Sequence, residues 1–508
     1  MKKILYISQL FLMLLVGNVF AQQATPVGIW FEKFKDRPVM LRQFLQLMPK
    51  GADLHSHLSG AVYAETYLDI AKNLNYCIDG STYRLYPSPC KSGTDDLLVK
   101  DISKDFREKA IDGLSVRNLS ASNRSGHDQF FNSFALFGGV AGAGESQAVL
   151  LAEVANRAAR ENIQLLELSV SVQSKAVQEL GSKYRIDSQS QFGDLRNQML
   201  EAGLIKLVEK GVRDLDAVEQ AYQKIMRCGE SDAQAGCDVK MRYILQTSRN
   251  AQSNQVYAQL VYAFELSKAD PRIVGVGLVS PEDGQVALRD YDLQMQMIAF
   301  LNRNSPNTKV TLHAGELAFG SVPPEQLHHH IKDAVKLAKA NRIGHGVDIG
   351  YEDGALETMQ YMKDHNIAVE ICLTSNDVIL NVKGSSSPLK DYIKAGVPVV
   401  LGSDDQGISR IDLTNEYLRA AFEQGLTYSQ LKQISRNSLT WSFLPGASLW
   451  ERPMNAKRVS ACQGENVLKN TVSTECEKFL SNSEKASLQW ILEKKFATFE
   501  SLPQWRGR

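Results

Sequence analysis

The sequence predicts an α/β fold, a (β/α)8 TIM-like barrel with insertions after its first and second strands. Three observations carry that expectation. Eight short β-branched runs alternate with helix-like segments, the pattern of a parallel sheet wrapped by helices. Eight is also the strand count that closes such a barrel. Histidines and carboxylates gather at the C-terminal ends of four of the runs, the end at which barrel enzymes carry their active sites.

Residues 1–21 read as an export signal. Lys2 and Lys3 precede an apolar stretch over 4–16, and Val19, Phe20 and Ala21 supply a small-x-small cleavage pattern. The apolar run is shorter than the roughly 20 residues a membrane-spanning helix needs. The mature protein is therefore expected to be exported, periplasmic or secreted, with no membrane attachment after processing. Residues 22–48 form an N-terminal extension, 49–445 the barrel and 446–508 a C-terminal helical extension. The expected strands are 52–57, 164–171, 241–247, 273–279, 308–314, 342–347, 367–373 and 397–403. Amphipathic stretches over 326–340 and 354–365 supply helices, and 483–499 reads as a closing one. Most such barrels run about 250 residues, and the surplus falls in insertions over about 76–127 and 172–240. The run His328-His329-His330 follows two prolines and reads as a solvated helix face.

Composition bounds the partners. The 508 residues carry 57 basic and 57 acidic side chains, and 44% are hydrophobic, so the chain folds around an ordinary core. Zero net charge argues against a protein built to neutralise many phosphates, and no nucleic-acid partner is expected. Six of the seven cysteines form sequence-local couples in polar, loop-like sequence: Cys77–Cys90, Cys228–Cys237 and Cys462–Cys476. An oxidising compartment permits disulfides there, each closing a short loop worth about 2–3 kcal/mol. Cys372 lies in the apolar run IAVEICL and reads as a buried thiol. No C-x-x-C occurs, which argues against zinc held by cysteine.

The chemistry sits at the strand ends. In His55-Ser56-His57 the two imidazoles are two residues apart on an extended segment, so both face one side and can reach one metal ion. The fifth run ends in His313-Ala314-Gly315-Glu316, the sixth contains Gly344-His345-Gly346, and the eighth ends in Ser403-Asp404-Asp405. Each motif is weak alone, but together they bring imidazoles and carboxylates to the same end of four strands.

The set HSHLSGA, TLHAGE, RIGHGV, VEICLTSND and LGSDD resembles the adenosine deaminase family of metal-dependent amidohydrolases, in order and spacing, over about 49–443. The export signal, the long first insertion and the segment His127-Asp128-Gln129-Phe130-Phe131 resemble its secreted branch, the adenosine deaminase-related growth factors. The resemblance implies one divalent metal ion, usually zinc, on His55, His57, His313 and Asp404. It implies that Glu316 gives a proton to purine N1, that His345 takes up or orients the proton of the attacking water, and that Asp405 holds N7. Ser59, Ser280 and Gly315 would contact the rest of the substrate. Phe130, Phe131 and Phe134 resemble the family's apolar wall over the nucleoside, although aromatics at helical spacing read equally well as plain core.

The implied function is an exported adenosine and 2′-deoxyadenosine deaminase, giving inosine or deoxyinosine and ammonia. Its partner is a small purine nucleoside, and analogy with secreted relatives suggests a homodimer. Ser59 stands where typical members carry an aspartate for the ribose 5′-hydroxyl, and Ser280 where a glycine is common. Gly277 replaces a common aspartate, while Leu373 and Gln406 replace prolines. These departures leave open another 6-aminopurine as substrate: adenine, or a 5′-modified or N6-substituted adenosine. A weakly catalytic nucleoside-binding or signalling protein is the rival of another class. It has no use for Glu316 and His345 together.

Overall fold

The computed structural model describes residues 25–506 apart from Asp187 and Asn470. The export signal expected at 1–21 lies outside the described residues. Eight strands form one sheet: β1 (Gly51–His57), β2 (Ile163–Val170), β3 (Lys240–Ser248), β4 (Ile273–Val279), β5 (Lys309–Ala314), β6 (Arg342–His345), β7 (Ala368–Ile371) and β8 (Val399–Leu401). They pair in chain order, every neighbour parallel. The ring closes where β1 meets the end of β8, through a parallel bridge between Ser56 and Asp404. There the Asp404 N–H donates to the His55 carbonyl at 2.8 Å and the His57 N–H to the Asp404 carbonyl at 3.3 Å.

Parallel strands covered on both faces are apolar almost throughout, as β4 (IVGVGLV) is. β1 breaks that rule. Its sequence GADLHSH is buried from end to end, including Asp53, His55, Ser56 and His57. Buried polar groups on a barrel strand need partners, and these four mark where the site lies. The last three strands each end two residues before the sequence expectation. The backbone turns there to present side chains, with His345 at φ +67° and Asp404 at φ +56°, values that end a strand.

Between β1 and β2 lie three two-residue antiparallel strands, at Cys77–Ile78, Leu85–Tyr86 and Leu97–Leu98, and the helices Lys104–Gly113, Gly126–Ala141 and Gly144–Arg160. Between β2 and β3 the long helix Ile205–Met226 dominates. Ile78, Leu85 and Val99 from the first insertion, and Val208, Leu215 and Met226 from the second, join the barrel's own hydrophobic core. The three expected disulfides are formed, and Cys372 is a buried free thiol. Around Cys462–Cys476 sits a small separate core of Leu449, Trp450 and Ala486. Trp30, Phe44, Phe499 and Trp505 stack together and tie the N-terminal helices to the closing helix Glu484–Glu500.

Of the triple histidine, His328 is exposed and His329 half-buried, but His330 departs from the reading as a solvated face. His330 is fully buried, stacked on Tyr291 with ring centroids 3.7 Å apart, and its Nδ1 lies 2.6 Å from Glu282. Local sequence polarity gave no hint of the buried carboxylate that recruits it.

Candidate active site

The four residues expected to hold a metal converge. Ligand atoms of His55, His57, His313 and Asp404 all lie within 4.8 Å of one another, and all four residues are buried. The Nε2 atoms of His57 and His313 are 3.2 Å apart, and Asp404 Oδ1 is 3.3 Å from His57 Nε2 and 3.6 Å from His55 Nε2. The other ring nitrogens explain the orientation. His55 Nδ1–H donates to Glu370 Oε2 at 2.7 Å, and His57 Nδ1–H to Gln246 Oε1 at 3.0 Å. Each bond fixes the tautomer that leaves Nε2 bare. His55 Nε2 is buried with no hydrogen-bond partner. Three imidazoles and a carboxylate, with one buried nitrogen left unpartnered, are a donor set that would fit a divalent ion.

Glu370 is itself anchored. It accepts from Thr311 Oγ1 at 2.9 Å and from Arg342 Nε, while Arg342 Nη1 donates to Glu167 at 2.7 Å. Burial alone would raise the Glu370 carboxyl, but Arg342 and His55 hold it at about 2. Glycines make room: a Cβ on Gly344 would lie 2.7 Å from His55 Cε1, and one on Gly402 2.6 Å from His55 Cβ.

Glu316 and His345 face each other, Oε1 to Nε2, at 3.6 Å. His345 Nδ1–H donates to Asn376 Oδ1 at 3.1 Å, which orients the ring. Burial, with the charges of Asp404 and Glu282 added, pushes the Glu316 carboxyl well above the usual range. Glu282 does more than repel. Its carboxylate accepts the N–H of Glu316 at 2.8 Å and of Gly315 at 3.2 Å, clamping the turn that carries the acid. Burial alone would raise Glu282, but Arg249 and His330 hold it at about 2.

A cavity of about 300 Å³ opens onto this cluster. Its walls include Ser59, Ser280, Glu316, Asp404 and Asp405, together with Phe130, Phe131 and Phe134. The three phenylalanines do both of the things open to them: they face the cavity and pack edge-on among themselves, with Phe130 in the core. Ser280 sits at φ +82°, a conformation that favours glycine. Gly315 is not in the cavity wall; its φ of +73° and the Asp348 Oδ1 2.3 Å from a built Cβ make it a turn residue. Sequence reasoning missed Gln246, Glu282, Arg342 and Glu370. One signal was available for Glu370, a charged residue inside the apolar run IAVEICL.

A family model described as Adenosine deaminase matches residues 108–449. The adenosine deaminase of Klebsiella pneumoniae (strain 342) is 26% identical over 401 residues, 77% of this chain and 93% of that one. That of Aliivibrio fischeri (strain ATCC 700601 / ES114) is 38% identical over 189 residues, 37% of this chain and 52% of its own. Among solved structures, the Arabidopsis N6-mAMP deaminase aligns with a TM-score of 0.52 at 21% identity, over 79% of this chain and 96% of that one. An amidohydrolase from Burkholderia ambifaria with bound Zn gives 0.52 at 16% identity, over 90% and 94%. At those identities the structural likeness shows the barrel fold. The family-model match begins after His55 and His57, yet β1 carries both against His313 and Asp404.

Proposed function

This chain belongs to the adenosine deaminase family, and from that premise we propose that it is an exported zinc enzyme hydrolysing adenosine and 2′-deoxyadenosine to inosine or deoxyinosine and ammonia. The observation that carries the reading is a buried acid, Glu316, and an imidazole, His345, facing each other beside the cluster of three histidines and Asp404. A divalent ion held by His55, His57, His313 and Asp404 would act as a Lewis acid and lower the pKa of a coordinated water towards 7.

The protein's own groups do the rest. His345 receives the water proton at Nε2, its ring held by Asn376. Glu316 donates its proton to N1 as C6 becomes tetrahedral, and the raised carboxyl supplies that proton near neutral pH. Asp405 lines the cavity with a carboxyl that burial and the Asp404 charge push well above the usual range, and from that protonated form it donates to N7. The phenylalanines cover the base and exclude water. Export is supported by the three disulfides, which persist in an oxidising compartment. The homodimer is part of the proposal by analogy alone.

The test is spectroscopic. Purified protein converts adenosine to inosine, and chelator abolishes the change. Glu316→Gln lowers kcat about 10²–10⁴-fold with metal content intact; a fully active variant would sink the assigned role.

A further inference from the structure

A second cavity, of about 760 Å³, adjoins the catalytic one and shares two wall residues with it, Ser59 and Gln246. It lies between helices Gly144–Arg160 and Ile205–Met226, above the ends of β2 and β3. Gln246 forms the partition. Its Oε1 accepts from His57 on one side, and its Nε2 donates to Ser171 Oγ at 2.9 Å on the other.

The catalytic cavity alone, at about 300 Å³, stands at the small end of the roughly 300–1,000 Å³ typical of ligand sites. A bare nucleoside therefore leaves the larger space unused. Orientation follows from the purine itself. C6 and N9 lie on opposite sides of the ring system, so with C6 at the histidine–aspartate cluster the ribose points away from it.

The lining states the chemistry. Leu58, Leu151, Val172, Leu215 and Val218 make more of the wall apolar than polar, and Gln147, Ser169, Ser171 and Gln173 add uncharged polar groups. Its one cation, Lys210, forms an exposed pair with Asp214 at 2.8 Å, and Asp214 also accepts from Gln173. Tyr243 O–H lies 3.3 Å from Glu219. The lining therefore carries one cation against one carboxylate, with no net positive charge to favour a phosphate.

Resting on the deaminase reading, we infer that this second cavity receives the 5′ substituent of the substrate and selects an uncharged, mainly apolar group such as an alkylthio chain. The reaction is unchanged: water replaces the 6-amino group, ammonia leaves, and the 5′ bond is untouched.

The experiment measures kcat/KM for adenosine, AMP and the 5′-methylthio, 5′-ethylthio and 5′-propylthio analogues of 5′-deoxyadenosine. Values rise along the thioether series, about two- to fourfold per buried methylene, and AMP falls at least tenfold below adenosine. Ala221→Trp, which fills the cavity from the exposed face of helix Ile205–Met226, lowers the propylthio value at least tenfold and leaves adenosine within twofold. Val218→Phe repeats the test should that variant not fold. Adenosine preferred over every thioether, AMP preferred over adenosine, or a filled cavity that affects all substrates alike overturns the inference. If adenosine and every analogue resist turnover, the deaminase reading fails instead. Calorimetric binding of the propylthio nucleoside to the wild type and to Ala221→Trp then decides the cavity's role: tighter binding than adenosine, weakened in the variant, upholds it, and equal affinities reject it.

Discussion

Glu370→Gln tests how the metal cluster is oriented. In the wild type one carboxylate oxygen accepts His55 Nδ1–H at 2.7 Å, and the other accepts Thr311 Oγ1–H at 2.9 Å and Arg342 Nε–H. An amide cannot serve both sides. With its NH2 towards His55 it donates to Nδ1, which drives the imidazole proton onto Nε2, the atom that must stay bare. With its NH2 towards Arg342, two donors oppose each other in a buried site. Loss of such an outer partner costs 10–100-fold in metal affinity, about 1.4–2.7 kcal/mol. Arg342 keeps Glu167 at 2.7 Å and the Trp441 carbonyl at 2.9 Å, so the barrel survives with a stability loss of about 2–3 kcal/mol. The assay is activity against buffered free zinc, with circular dichroism as the check on folding. Half-activation shifts 10–100-fold to higher zinc, and most activity returns at saturation. Half-activation within threefold of wild type would refute the orienting role.

Two further perturbations address neighbouring parts of the site. In Gly60→Ala the new Cβ falls 1.6 Å from Asp405 Oδ1, so Asp405 must move. A displacement of about 1 Å in a positioned group costs on the order of 10²-fold; kcat/KM drops by that factor while metal content holds, and a value within twofold of wild type contradicts the assignment. Glu282 is held at about 2 against an ordinary value of 4.5. A depressed carboxylate stabilises the fold above its unfolded pKa and loses that contribution as pH falls through the folded one, here about 3 kcal/mol between pH 4.5 and 2. In urea unfolding, the stability gap between wild type and Glu282→Gln is about 3 kcal/mol at pH 6 and roughly halves by pH 3. A gap that does not change with pH removes the linkage.

The eight strands and the cluster of His55, His57, His313 and Asp404 were legible because their signals are local. Most strands are short, largely apolar runs, and His55, His57, His313 and Asp404 each lie within or a few residues after one of the eight. What stayed hidden is pairing across the barrel. His55 and Glu370 are 315 residues apart, and His57 and Gln246 are 189 apart; nothing near either histidine names its partner. His330 was misread for the same reason, since its carboxylate lies 48 residues upstream. The second cavity was equally invisible, because its walls come from helices on both sides of β2 that meet only in the folded chain. Gln406, a departure from the family pattern in sequence, has a plain role in space. Its amide donates to Asp53 Oδ2 at 3.3 Å and to Ser403 Oγ, locking the turn that presents Asp404 and Asp405.

That lock shows why the site sits where the barrel closes. β1 and β8 are joined by the backbone of the ligands themselves, through Asp404 N–H to His55 and His57 N–H to Asp404. Beneath them Asp53 accepts the Ser403 hydroxyl and the His55 N–H, the latter at 3.3 Å. Asp404 holds a positive φ, and such a conformation costs about 1–3 kcal/mol unless the surroundings enforce it. The contacts around it cross the seam, so strain at Asp404 and closure of the ring are one problem. An ion bound by His55, His57 and Asp404 would grip both edges of the sheet at once. Its binding free energy would favour the closed barrel over the open chain, so affinity for the ion and stability of the fold would form a single linked quantity.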